Sequence, residues 1–160
     1  MRKGAKSAVL LTLLFLAGLA LLLYPLVSSR YNARRSAALI EDYTAVVADT
    51  PQENYSAWFA AADAYNATLT GKDVPDAFAA ITDEESADYL AQLAFDPDGV
   101  MGYISIPKIA VSLPIYHGTT PATLEKGAGH LEGSALPVGG AGTHCVISAH
   151  RGLPSAAMFT

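Results

Sequence analysis

From Ala8 to Val27 the sequence reads AVLLTLLFLAGLALLLYPLV, twenty residues without a charge. Coiled as a helix, such a run rises about 30 Å, the thickness of a bilayer's hydrocarbon core. Arg2, Lys3 and Lys6 precede it, and Arg30, Arg34 and Arg35 follow it. The length fits an uncleaved membrane span. The alternative is a cleavable secretory signal, whose apolar stretch usually runs about 7–15 residues, and Val27-Ser28-Ser29 passes for a weak cleavage site. Basic residues on both flanks give the positive-inside rule little to act on. The short head is the easier part to retain in the cytoplasm, so the expected orientation is N-terminus inside and bulk outside.

Beyond Arg30 the charge changes sign. Six of the ten Lys and Arg and all fifteen Asp and Glu lie there, a net charge of −9. Nucleic-acid binders present a basic face, so no nucleic-acid partner is expected. The single cysteine, Cys145, excludes an internal disulfide, so an extracytoplasmic domain has to be stable without one.

Residues 36–70 carry helical periodicity. Leu39, Ile40, Tyr43, Val46 and Val47 form one stripe, and Tyr55, Trp58, Phe59, Ala62, Tyr65 and Leu69 form a second. Thr50-Pro51 divides them, with Thr50 placed to cap and Pro51 at the first helical position. GKDVPDAFAAI (71–81) reads as an irregular loop. Thr82 to Glu85 reads as a capping box opening a short helix with Tyr89, Leu90 and Leu93. After Gly99 the texture turns to β, in VMGYISI, IAVSLPIY and THCVIS. Three or four strands fit before the chain stops, too few to close a barrel, so the sequence reads as cut.

THCVISAHRG raises a local question, because a cysteine near a histidine is a candidate dyad. Cys145 and His150 are five positions apart, and alternation along a strand turns them to opposite faces. In an extended chain they stand roughly 16 Å apart, against the about 2.6–3.2 Å a nucleophile and base require. Cys145 is therefore expected as a small apolar filler. His150 ends the strand where Arg151-Gly152-Leu153-Pro154 turns the chain, a common placement for catalytic groups. No histidine pair has the usual zinc-ligand spacing, so no metal is expected.

MGYISIPKI (101–109), LPIYHGT (113–119), LEKGAGHLEGSALPVGG (124–140) and SAHRGLPSAAMFT (148–160) together resemble the first half of a class C sortase, a pilin-joining cysteine transpeptidase of Gram-positive bacteria. The resemblance implies a mainly β fold: the first half of a sortase-type β-barrel (100–160), after a transmembrane anchor (1–30) and a helical segment (31–99). It implies that His150 is catalytic. The family's nucleophilic cysteine, in a Thr-Leu-x-Thr-Cys motif, and its arginine come later and are not in this chain, which is expected to be inactive alone. No cofactor is implied. The implied partners are pilins with LPxTG-type sorting signals and an acceptor lysine, and membrane lipid around the anchor at the cell membrane. The family also carries a lid with an Asp-Pro-aromatic motif. DVPDAF within 73–79 is its best counterpart here, with Asp76 and Phe78 as lid residues, although Ala77 replaces the usual proline. Without the downstream motifs, the alternative is a non-enzymatic, membrane-anchored surface binding module.

Overall fold

The structure is a computed structural model that describes residues 2–71, 73, 86–94, 97–151, 153–156 and 158–159. The uncharged run lies inside one continuous helix, α1 (Arg2–Asp49), which holds Pro25. Its apolar N-terminal part is exposed: Leu14, Phe15, Leu21 and Leu22 each have 69–77% of their surface accessible. The helix is long and apolar enough to cross a membrane. No break separates that run from the amphipathic part after residue 35. There Ser36 is buried, and Leu39, Ile40, Tyr43, Val46 and Val47 are half-buried, on the face that packs against the sheet.

A second helix, α2 (Gln52–Leu69), follows. The expected cap does not form. Thr50 donates its hydroxyl back to the carbonyl of Val46 at 2.8 Å, serving the end of α1, and Pro51 occupies the cap position with no side-chain bond. The helix buries Ala62 completely and half-buries Tyr65 and Leu69, while Phe59 stays 46% exposed. Thr82, Glu84 and Glu85 of the expected capping box lie outside the described residues. The cap seen on the next helix, α3 (Ala87–Leu90), is Ser86, whose Oγ accepts from the Tyr89 amide at 3.3 Å. Leu93, expected within that helix, has a positive φ of 54° and lies beyond it.

Four strands form one sheet in the order β1-β2-β3-β4. They are β1 (Val100–Ile106), β2 (Val111–His117), β3 (Ala128–His130) and β4 (Ile147–Ser148). β1 and β2 pair antiparallel across a 3-10 turn at Pro107–Ile109. In β2, Val111, Leu113 and Ile115 are buried, each worth about 1.5–3 kcal/mol of apolar burial. Pro114, which cannot donate to a ladder, sits just before Ile115, where pairing with β3 begins.

β2 and β3 are parallel, joined through helix α4 (Pro121–Lys126). Thr120 caps α4 by accepting from the Thr123 amide at 3.2 Å, and Pro121 takes the first turn. This crossover is tight. A Cβ on Gly129 would stand 2.2 Å from the Gly118 carbonyl oxygen, and one on Gly127 would stand 2.7 Å from that of Pro114. Only glycine permits such approach of one backbone to another.

The fold-class expectation needs correction. Helix exceeds strand, because α1 alone has 48 residues whereas the strands have 7, 7, 3 and 2. Among the described residues the sheet is open, with β1 and β4 as its edges. The core lies where α2, α3 and the sheet meet, at Ala62, Tyr89, Met101, Leu113, Ile115, Ala128, Leu136 and Met158.

Candidate active site

β4 is shorter than THCVIS predicted. Residues 143–146 are not regular strand, yet their backbone is held by the turn that follows β3. The Leu131 amide donates to the Val146 carbonyl at 3.0 Å, and that of Ala135 donates to His144 at 2.9 Å. Ser134 Oγ accepts from the Val146 amide at 3.1 Å while donating to the Leu131 carbonyl at 2.7 Å. The segment leading to His150 is thus fixed from one side by backbone and by one buried hydroxyl.

His150 lies two residues beyond β4 and is half-buried. Its carbonyl accepts from the Phe159 amide at 3.2 Å, closing the turn between them. Inside that turn Leu153 and Ala156 form an isolated antiparallel bridge. The carbonyl of Ser155 is held from α1, by Asn32 Nδ2 at 2.7 Å and Ser28 Oγ at 3.2 Å. A histidine just beyond a strand, on a tied turn, is carried on a fixed backbone, a placement suited to general acid–base work.

Cys145 is half-buried, and desolvation pushes its thiol pKa up. A raised pKa keeps the sulfur protonated at neutral pH, the opposite of what a nucleophile requires. Among the described residues no cluster of three or more His, Cys, Asp or Glu is arranged to hold a metal. The expected lid residues Asp76 and Phe78 lie outside the described residues. Ser86 is fastened to the β3–β4 turn, its amide lying 3.2 Å from both carboxylate oxygens of Glu132 and its hydroxyl donating to Oε1 at 2.5 Å.

The other histidines are held in the core or lie at the surface. His130 is fully buried. Its Nε2 donates to the Ala135 carbonyl at 2.9 Å, leaving Nδ1 to accept from the Tyr89 hydroxyl at 3.0 Å. That hydroxyl also lies 2.8 Å from the His130 carbonyl and accepts the Gly118 amide at 3.0 Å. His117 donates from Nε2 to the Gln92 carbonyl at 2.7 Å and meets the Tyr89 ring edge-on at 5.0 Å. Desolvation lowers the pKa of both imidazoles, opposed in each by the carbonyl it bonds. His144 is exposed. The Tyr89–His130–Ser134 network, which carries order from α3 to the segment before His150, was not visible in the sequence. His130 and Ser134, 3.2 Å apart at Nε2 and Oγ, stand within LEKGAGHLEGSALPVGG, but Tyr89 lies 41 positions from His130 and no local pattern marks their contact.

Residues 104–160 match the sortase domain family. Sortase C1 from Streptococcus agalactiae is 44% identical, with a TM-score of 0.66, over 75% of this chain and 61% of that one. A Streptococcus pneumoniae sortase C, whose structure is described as informing catalysis and pilin substrate specificity, is 38% identical with a TM-score of 0.67, over 76% of this chain and 61% of its own. Sortase C-1 from Actinomyces oris is 43% identical with a TM-score of 0.59, over 67% and 60%. No curated protein matches the sequence. The chain therefore spans about three fifths of the length of these solved relatives. The domain match and the structural likeness agree: residues 104–160 carry a sortase domain, and class C sortases are structural relatives of the chain.

Proposed function

We propose that this chain contributes the membrane anchor, the helical prelude and the histidine of a class C sortase that joins pilin subunits. The observation that carries the reading is His150, two residues beyond β4 on a tied turn inside the matched sortase domain. A cysteine thiolate supplied from outside these 160 residues attacks the Thr–Gly carbonyl of an LPxTG-type signal. The C–N bond breaks as His150 gives its proton to the leaving amine, and a thioacyl enzyme remains. A lysine amine of the next pilin then attacks the thioester and loses a proton to His150. The thiolate departs, and an isopeptide bond is left. An arginine, also from outside this chain, stabilises the oxyanion. Cys145 takes no part, which its raised thiol pKa supports.

Asp76 and Phe78 act as a lid over this site, a reading that rests on the sequence of DVPDAF. The span Ala8–Val27 anchors the protein with the sortase domain outside the membrane, and 160 residues alone do not catalyse.

One experiment tests the assignment: turnover of an LPxTG peptide by the full-length protein. His150→Ala abolishes it, Cys145→Ala keeps most of it, and Asp76→Ala with Phe78→Ala raises it. Activity that survives His150→Ala refutes the acid–base role. Loss of the thioacyl intermediate in Cys145→Ala restores the local dyad. A rate unchanged by the double variant removes the lid. Absence of any turnover in the wild type favours the binding-module alternative.

A further inference from the structure

The turn that carries His150 is tied to the anchor helix. Ser28 and Asn32 lie one turn apart on α1, so their side chains share a face, and both donate to one acceptor, the Ser155 carbonyl, at 3.2 and 2.7 Å. Between α1 and the sheet lies a cavity of about 530 Å³, lined by Asn32, Ser36, Val111, Leu113, Ala156 and Met158 among others. Four residues beyond Ser155, the Phe159 amide donates to the His150 carbonyl at 3.2 Å. Hydrogen bonds therefore run from α1 to Ser155, along the bridged turn, and back to His150.

The sequence position of the two donors adds a second consequence. Ser28 is the first residue past the uncharged run and Asn32 the fifth, so at 1.5 Å per residue they rise only about 2–8 Å beyond it.

We infer that Ser28 and Asn32 are positioning residues, through which the anchor helix sets the pose of His150 and holds its turn at the depth of the lipid headgroups. This rests on the function proposed above, and it assigns the anchor a role in the site itself. Two donors on one carbonyl restrain the turn in position and in direction, and small displacements of a reacting group are costly to turnover.

The test uses the full-length protein in lipid nanodiscs, comparing wild type with Ser28→Ala/Asn32→Ala and with Asn32→Gln, which keeps a donor. In the double variant kcat for an LPxTG peptide falls about tenfold with KM little changed. Hydrogen exchange at the Phe159 amide quickens, partition into vesicles stays the same, and Asn32→Gln recovers part of the rate. Unchanged kcat, or a fall in kcat with exchange at Phe159 unaltered, overturns the inference. A wild type without His150-dependent turnover defeats the functional reading separately, and exchange at Phe159 then decides the tie by itself.

Discussion

Tyr89→Phe removes one oxygen from a fully buried site and nothing else. The ring contacts survive: Tyr65 at 6.3 Å, His117 at 5.0 Å and His130 at 5.7 Å between centroids. What disappears is the hydroxyl that accepts from the Gly118 amide at 3.0 Å and lies between His130 Nδ1 at 3.0 Å and the His130 carbonyl at 2.8 Å. A hydroxyl has one proton, so it makes one of the two donor bonds fully at a time. The loss is about two hydrogen bonds, at a net ~0.5–1.5 kcal/mol each, with a further penalty because the Gly118 amide is left buried and unpaired. Together these give about 2–4 kcal/mol. For a chain of this size that lowers the unfolding midpoint by roughly 4–16 °C. The assay is a thermal melt of wild type and variant in the same detergent, with Tyr103→Phe, 46% exposed, as the control. A Tyr89→Phe shift no larger than that of the control refutes the claim that this hydroxyl ties α3 to β3.

Two further perturbations address the crossover and the buried imidazoles. Gly129→Ala places a methyl group 2.2 Å from the Gly118 carbonyl oxygen, and since backbone must move, the variant should lose about 1–3 kcal/mol, read from the same melts; an unshifted midpoint shows the crossover to be looser than described. His117 and His130 have folded-state pKa values below the ordinary 6.5, so below that pH the unfolded chain binds protons that the folded chain refuses. Stability should therefore be fully present above about pH 6.5 and should fall as the pH drops beneath it, and His130→Gln should flatten the slope of midpoint against pH; an unchanged slope places the sensitivity elsewhere.

Several features of this chain are local enough to be determined by sequence alone. Twenty uncharged residues can only form a span-length apolar helix, and they do so whatever follows them. The stripes of α1 and α2 are likewise local, because 3.6-residue periodicity selects the buried face before any partner is chosen. β1 and β2 follow from β-branched runs on either side of a proline turn. His150 was singled out by its place near a strand end and by the AHRG motif, and the structure puts it two residues beyond β4.

Other features depended on partners distant in sequence. Thr50-Pro51 and Thr120-Pro121 offer the same local signal, yet only Thr120 caps the following helix. Thr50 is near enough to the Val46 carbonyl to serve α1 instead, a competition that propensity does not resolve. β3 is three residues long and glycine-centred, with no pattern of its own; it exists because Gly129 can approach Gly118. THCVIS has good strand character but pairs as strand only at Ile147 and Ser148, since Ser134 and the turn after β3 satisfy the backbone before them in another way. The tie from Ser28 and Asn32 to Ser155 spans more than 120 positions. A side-chain amide or hydroxyl on a helix bonds whatever the fold brings to it, so its partner was decided by tertiary structure alone.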